Sequence, residues 1–289
     1  MRFPSFDRRD LIRAALAAPL LLAPGGALAK QKVPPGVDFG KWLHSWFERD
    51  FGMVGYYADD NEALIASKAP VDVVFMGDSI TEFWLDKRPG FFKRGRVDRG
   101  ISGQTSSQMV LRMMSDVVAL RPCAAHIMGG TNDIAGNTGP MTPQMSEDNV
   151  RAMTGIAQRQ GIKVLIASVP PAAKFPWAPT VETRHAIAEL NRRLKNVARQ
   201  AGATWVDYHP VLDDGTGAMK PGLADDGVHP NQAGYDAMAT VIEPVLARML
   251  RPASARRPWQ ARLRPSVRHR LRGPAHAHRA HSPAAACSR

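Results

Sequence analysis

Five short apolar segments that alternate with longer stretches of helical periodicity constrain the fold of this chain more than any other feature. The apolar segments predict strands at 71–76, 96–99, 123–128, 162–169 and 204–207. The stretches around them predict helices at 41–67, 105–120, 146–160, 181–201 and 231–249. Strands that alternate with helices form a parallel sheet with helices on both faces. We therefore expect a single α/β domain over residues 30–250.

The basic character of the chain belongs to its two ends. The formal net charge is +12, yet the acidic and basic side chains of residues 30–250 balance. Residues 251–289 alone contain ten arginines and no acidic residue. Because a nucleic-acid-binding domain carries its basic residues on the folded surface, the neutral core argues against a nucleic-acid partner.

Residues 1–29 have the parts of an export signal. Arg8 and Arg9 precede an apolar run at 14–22, and the segment closes with the small-x-small motif of 27–29. The paired arginines favour a twin-arginine signal, whereas an ordinary secretory signal and an uncleaved anchor are the alternatives. We expect cleavage after residue 29, and an exported, periplasmic or secreted protein whose mature chain has no transmembrane span.

The composition of the last 39 residues predicts that they are disordered. Residues 251–289 are rich in Arg, Pro and Ala, and we expect a disordered tail because such a composition cannot form a core. An arm that binds polyanions or membrane surfaces is the alternative.

The only cysteines are Cys123 and Cys287, too few for a disulfide-rich scaffold or a four-cysteine zinc site. Cys123 opens a predicted buried strand and has no partner within the core, so we expect no structural disulfide.

A serine follows the first predicted strand. Ser79 comes after that strand through Gly77 and Asp78, at the edge of the sheet where α/β proteins bind ligands. A tight turn there would lift the hydroxyl above the sheet. Most serines after strands are turn residues, so Ser79 becomes a candidate nucleophile only if the chain also supplies a base.

The candidate base is His229, and Asp226 lies three residues before it on the same predicted loop. A neutral imidazole can take the proton of the serine, and a carboxylate can orient the ring and stabilise its charged form. His209, which also follows a strand, is the rival base. Asp225 is the alternative acid.

An oxyanion hole needs hydrogen-bond donors that converge at one point. Gly103 follows a predicted strand, and a glycine lets a backbone N–H approach a substrate closely. Asn132 follows another strand and carries an NH₂ group, although such an Asn can instead close a turn. The backbone N–H of Ser79 would be the third donor.

The blocks Gly77-Asp78-Ser79-Ile80, Gly103, Gly129-Gly130-Thr131-Asn132-Asp133 and Asp226-Gly227-Val228-His229-Pro230 occur in this order. In this arrangement the chain resembles the SGNH hydrolases, the GDSL esterase and lipase family, over roughly residues 40–250. The first block has Ile80 where the family name has Leu. The resemblance implies a three-layer α/β/α, flavodoxin-like fold and a catalytic site without metal or cofactor. It implies a triad and an oxyanion hole, namely Ser79, Asp226 and His229, with Ser79, Gly103 and Asn132 as the donors.

The expected function is that of an exported serine esterase that forms an acyl-enzyme on Ser79. Its substrate would be a short-chain, lysophospholipid or carbohydrate O-acetyl ester. The segments Phe83-Trp84 and Phe175-Pro176-Trp177 both follow strand ends and are candidates for the wall of an acyl pocket, with Trp84 and Trp177 as the leading residues and simple packing as the alternative. An acyltransferase with the same site, and an envelope-polymer-binding protein that acts through the basic tail, are the other hypotheses.

Overall fold

A five-stranded parallel sheet in the order β2-β1-β3-β4-β5 forms the centre of the molecule. The computed structural model describes residues 36–250 with the exception of residue 94, so the predictions for 1–29, for 251–289 and for Cys287 lie outside the described residues. All neighbouring strands pair in parallel. The strand order is flavodoxin-like, and the predicted sheet is confirmed. The strands are β1 (Val73–Gly77), β2 (Arg96–Gly100), β3 (Ala124–Met128), β4 (Lys163–Ala167) and β5 (Thr204–Val206).

Helices connect the strands and end the described chain. In chain order they are α1 (Phe39–Arg49), α2 (Ala58–Ser67), α3 (Ser79–Lys87), α4 (Ser106–Leu111), α5 (Thr131–Ala135), α6 (Pro143–Arg159), α7 (Thr183–Ala201), α8 (His209–Leu212) and α9 (Gln232–Met249). A 3₁₀ turn covers Pro89–Phe92, and a π-helical turn covers Met114–Val118. No helix within residues 36–250 combines the length and the apolar character that a bilayer crossing requires.

The sheet separates two apolar cores. Val74 and Met76 pack with buried residues of α4, α6 and α7 on one face, and Val73 and Phe75 pack with those of α3 and α9 on the other. Successive side chains of a strand point to opposite faces, so one strand supplies both cores. The expected three-layer α/β/α sandwich is confirmed.

Two predicted helical regions are divided in the structure, and short helices occur that were not predicted. The region 41–67 is divided into α1 and α2, and the region 105–120 contains α4 and then the π-helical turn. The described chain also has short helices that apolar periodicity did not indicate, among them α3 and α5. These helices begin at the loops that carry polar residues, where the backbone follows capping and turn interactions more than burial of an apolar stripe.

The expectation of no structural disulfide is wrong, because Cys123 is disulfide-bonded. Cys123 is half-buried and lies one residue before β3, in a cavity at the amino edge of the sheet that Val71 and Leu250 also line. The prediction assumed that Cys123 has no partner because the core contains no second cysteine. At the rim of the sheet the sulfur can instead be reached from outside the core.

Two glycines allow α3 to begin directly on the sheet. A Cβ atom on Gly77 would lie 1.9 Å from Thr81 Oγ1, and one on Gly100 would lie 2.1 Å from the backbone nitrogen of Glu82. Any larger residue at these positions would push the first turn of α3 away from β1 and β2. The absence of a side chain at the ends of β1 and β2 therefore sets the position of Ser79.

We predict that Gly100→Ala lowers the free energy of unfolding by about 3 kcal/mol, because its methyl group meets backbone that cannot rotate away. Urea denaturation followed by circular dichroism measures the change. The matched control is Gly155→Ala in α6, where a Cβ atom meets nothing within 4 Å. That control should raise stability by about 0.5–1 kcal/mol. Equal stabilities of the two variants would contradict the packing argument.

Candidate active site

Ser79 is the first residue of α3 and lies at the carboxyl edge of the sheet. Asp78 caps the helix, since its Oδ1 accepts a hydrogen bond of 2.9 Å from the backbone N–H of Ile80. The N–H groups of the first turn and the helix dipole favour negative charge at this end. The position therefore suits a serine whose hydroxyl is to give up a proton.

The structure brings Ser79, His229 and Asp226 into one hydrogen-bonded chain. Ser79 Oγ lies 2.9 Å from His229 Nε2, and His229 Nδ1 lies 2.6 Å from Asp226 Oδ2. Asp226 Oδ1 also accepts the backbone N–H groups of Val228, at 2.9 Å, and His229, at 2.7 Å. In the neutral ring, a proton on Nδ1 that faces the carboxylate leaves Nε2 free to accept the serine proton.

The carboxyl group of Asp226 is held in its charged form. Burial raises the pKa of Asp226, but the hydrogen bonds from the His229 ring and from the backbone of His229 and Val228 lower it by more, so the pKa lies below its usual range. An ionised carboxylate against Nδ1 stabilises the imidazolium that forms when the ring takes a proton.

Donors from two other loops lie at the same edge of the sheet. Gly103 has a φ of +81°, and its N–H has no acceptor within the described part of the chain. Asn132 Nδ2 donates one N–H to the carbonyl of Gln104, at 2.9 Å, and its second N–H is not used in that bond. If Asn132 served only to close a turn, the second N–H of its side-chain amide would have no role.

Two residues that sequence reasoning missed join these loops to the segment that carries Ser79. Glu82 of α3 accepts hydrogen bonds from the N–H of Ser102, at 2.8 Å, and from its hydroxyl, at 2.5 Å. Arg112 is fully buried and donates to Gln104 Oε1, at 2.6 Å, and to the carbonyl of Gly77, at 2.9 Å. Arg112 could have been identified from the sequence, because it is a single arginine within an apolar helical stripe.

The rival assignments lead elsewhere. His209 Nε2 lies 2.9 Å from the carbonyl of Val169, and its Nδ1 lies 3.3 Å from Asp213. Asp225 Oδ1 accepts from the side chain of Asn231 at 3.2 Å. Neither of these contacts involves the serine, which is paired with His229.

The assignment of Trp84 to a substrate pocket is wrong. Trp84 is 0% exposed and stacks on Phe91 and Tyr235 in the core beneath α3. The helix turns about 100° per residue, so Phe83, the other candidate of this pair, takes the site-facing position. Its ring centroid lies 5.3 Å from that of His229.

Trp177 lies beside His229. Its ring centroid is 5.8 Å from that of His229, and the residue is 42% exposed. Phe175, which is buried, stacks behind it with an interplanar angle of 11°. Trp177 therefore offers a supported aromatic surface at the mouth of the site.

The model of the GDSL-like lipase/acylhydrolase family matches residues 75–237 of this chain, a range that includes all the residues of the hydrogen-bonded chain. The chain belongs to this family. A solved GDSL-like lipase from Bacteroides thetaiotaomicron is 39% identical with a TM-score of 0.66, and the alignment covers 69% of this chain and 99% of that one.

Two curated relatives are also similar to this member of the family. A GDSL lipase from Mycobacterium tuberculosis is 30% identical over 37% of this chain and 44% of its own length. An acetylxylan esterase from Xylanibacter ruminicola is 25% identical over 72% of this chain and 50% of its own length. The chain thus spans about half the length of the curated relatives that it matches.

The described residues offer no ready cation site. Within 36–93 and 95–250, no three or more His, Cys, Asp and Glu side chains are grouped so that they could hold a metal ion.

His126 is fully buried among Phe75 and Tyr208, and burial lowers its pKa to about 3.

Asp78 is a second titratable group beside Ser79. Burial raises the pKa of Asp78 to about 6, although the hydrogen bond from Ile80 and the nearby His229 act in the opposite direction. A carboxyl group with a higher pKa in the folded state binds its proton more tightly when folded. The contribution of this tighter proton binding to the free energy of unfolding is therefore present at low pH and is lost as the pH rises from about 4 to about 6.

We predict that Asp78→Asn becomes more stable relative to the unmodified protein by about 2 kcal/mol between pH 4 and pH 7.5, since asparagine keeps the N-cap without a charge. Urea denaturation at both pH values measures the difference. Asp214→Asn should change in the opposite direction, because hydrogen bonds from Thr216 lower the pKa of Asp214. The same trend in both variants would refute the assignment to Asp78.

Proposed function

We propose that this protein is a serine hydrolase of carboxylic esters. The observation that carries the proposal is the chain of hydrogen bonds from Ser79 Oγ through the His229 ring to Asp226. Membership of a family of lipases and acylhydrolases supports it. The assembled groups supply a nucleophile, a base and an oriented carboxylate.

In the proposed mechanism, Ser79 Oγ attacks the acyl carbon while His229 Nε2 takes its proton. The carbonyl oxygen becomes negatively charged and is bound by the N–H groups of Ser79 and Gly103 and by the Asn132 amide. The C–O bond to the alcohol then breaks, and His229 gives its proton to the leaving oxygen. Water repeats the two steps on the acyl-enzyme, which releases the acid and restores Ser79.

We further propose acetyl and other short-chain esters of carbohydrates as the substrates. Similarity to an acetylxylan esterase supports this choice. The exposed face of Trp177 beside His229 offers a flat aromatic surface against which a sugar ring can pack. The sequence also shows no long apolar lid segment of the kind that would cover a long acyl chain.

We predict that Ser79→Ala lowers kcat by roughly 10⁵-fold or more on p-nitrophenyl acetate and on acetylated xylo-oligosaccharides, because the nucleophile is removed. The unmodified protein should prefer acetate over octanoate esters. Product release by spectrophotometry and acetate assay measures both. Ser115→Ala, a half-buried serine in the π-helical turn, is the matched control and should retain activity. Activity that persists in Ser79→Ala would place the nucleophile elsewhere.

We propose that the protein is exported, on the strength of the paired arginines, the apolar run and the small-x-small motif within residues 1–29. The compartment would give it access to envelope or extracellular polysaccharide esters. Protein isolated from its natural host should begin at Lys30. Replacement of Arg8 and Arg9 by lysine should leave the uncleaved chain in the cytoplasm, whereas unchanged export of that variant would exclude the twin-arginine route.

A further inference from the structure

We propose that Asn137 is a positioning residue that aligns the two oxyanion donors outside the nucleophile loop, Gly103 and Asn132. The inference rests on the proposed esterase function of the site. Asn137 lies two residues after the end of α5 and is half-buried. It touches neither Ser79 nor His229 through any hydrogen bond within the described residues.

One side-chain nitrogen joins both donor loops. Asn137 Nδ2 donates to the carbonyl of Gly103, at 3.1 Å, and to Asn132 Oδ1, at 2.9 Å. Its backbone N–H donates to the carbonyl of Asn132, at 3.1 Å. Since an amide NH₂ group has two hydrogens, Asn137 spends its entire side-chain donor capacity on these two residues.

Two backbone carbonyls fix which way both amide groups face. The carbonyl of Gly103 can accept only from the nitrogen end of Asn137, and the carbonyl of Gln104 can accept only from the nitrogen end of Asn132. With both amides in these orientations, the oxygen of Asn132 meets a hydrogen of Asn137. The network is consistent in one arrangement, and reversal of either amide would place two acceptors against each other.

The turn that carries Asn137 is itself held in place. Gly136 and Gly139 have φ angles of +74° and +103°, which glycine adopts without strain. Thr138 Oγ1 lies 3.1 Å from Thr105 Oγ1, at the start of α4. The turn is thus bound to the segment after Gly103, and it holds the side chain of Asn137 close to its hydrogen-bond partners.

This arrangement has two consequences for a bound oxyanion. A hydrogen bond to Asn132 Oδ1 polarises its amide, and the free N–H of that amide becomes a stronger donor. The bond to the Gly103 carbonyl fixes the peptide that follows the Gly103 N–H. Both effects help to stabilise the negative charge of the transition state and leave substrate binding almost unchanged.

The test compares Asn137→Ala and Asn137→Asp with the unmodified enzyme on p-nitrophenyl acetate. Removal of the two hydrogen bonds should lower kcat by about 10-fold with KM within about twofold. Asn137→Asp should lose a further threefold or more, because a carboxylate faces two acceptors and attracts the NH₂ group of Asn132. Asn149→Ala is the matched control, a half-buried amide whose 3.0 Å hydrogen bond goes to Ser106, and its kcat should fall by less than about threefold.

A double-mutant cycle distinguishes positioning from general loss of structure. Asn132→Ala alone should lower kcat by about 10²–10³-fold. In that background Asn137→Ala should cost at least threefold less than it does alone, because one of the donors that it positions is gone. Equal losses in both backgrounds, or a kcat of Asn137→Ala equal to that of the Asn149→Ala control, would overturn the inference.

An NMR measurement tests the same contact without turnover. The side-chain NH₂ resonances of Asn132 should move in Asn137→Ala and stay in place in Asn149→Ala; unmoved resonances would overturn the inference. Equal activity of Ser79→Ala and the unmodified enzyme would refute the proposed function instead. The NMR result would then still decide whether Asn137 holds the Asn132 amide.

Discussion

The close approach of α3 to the ends of β1 and β2 is the constraint on which the site depends. Gly77 and Gly100 leave room for backbone where any side chain would collide with Thr81 or Glu82. The first turn of α3 consequently begins at the sheet edge. Because Ser79 opens this helix, packing in the interior decides how far the hydroxyl stands from the residues of the other loops.

Polar contacts then extend this placement from loop to loop. Glu82 ties α3 to the segment before Gly103, and Arg112 ties the end of β1 to Gln104. The carbonyl of Gln104 in turn receives the Asn132 amide. The bonds of Arg112 and Asn132 are buried, and an unpaired polar group is costly there, so the network has few alternative arrangements. It offers a physical reason why groups far apart in the chain keep fixed relative positions.

Chemical type and position after a strand were enough to select most of the candidate residues. Ser79 could be chosen because its hydroxyl follows a strand at the expected edge of a parallel sheet, and Asp226 and His229 because a carboxylate and an imidazole share one later loop. The structure joins the three residues by hydrogen bonds. Trp84 shows the limit of this reasoning. A one-residue difference along α3 separates a buried ring from one that faces His229, and the sequence of a short helix does not specify its rotation.

The sequence by itself determined the order of strands and helices and the two-faced burial of the sheet, because apolar periodicity is a local property of the chain. It also indicated which loops hold reactive side chains, since parallel strands all end at one edge. Only the tertiary structure decided that Asn137 contacts both donor loops and that Cys123 lies at an accessible rim and is disulfide-bonded. Such contacts join residues distant in sequence, and their geometry arises from packing that no single segment encodes.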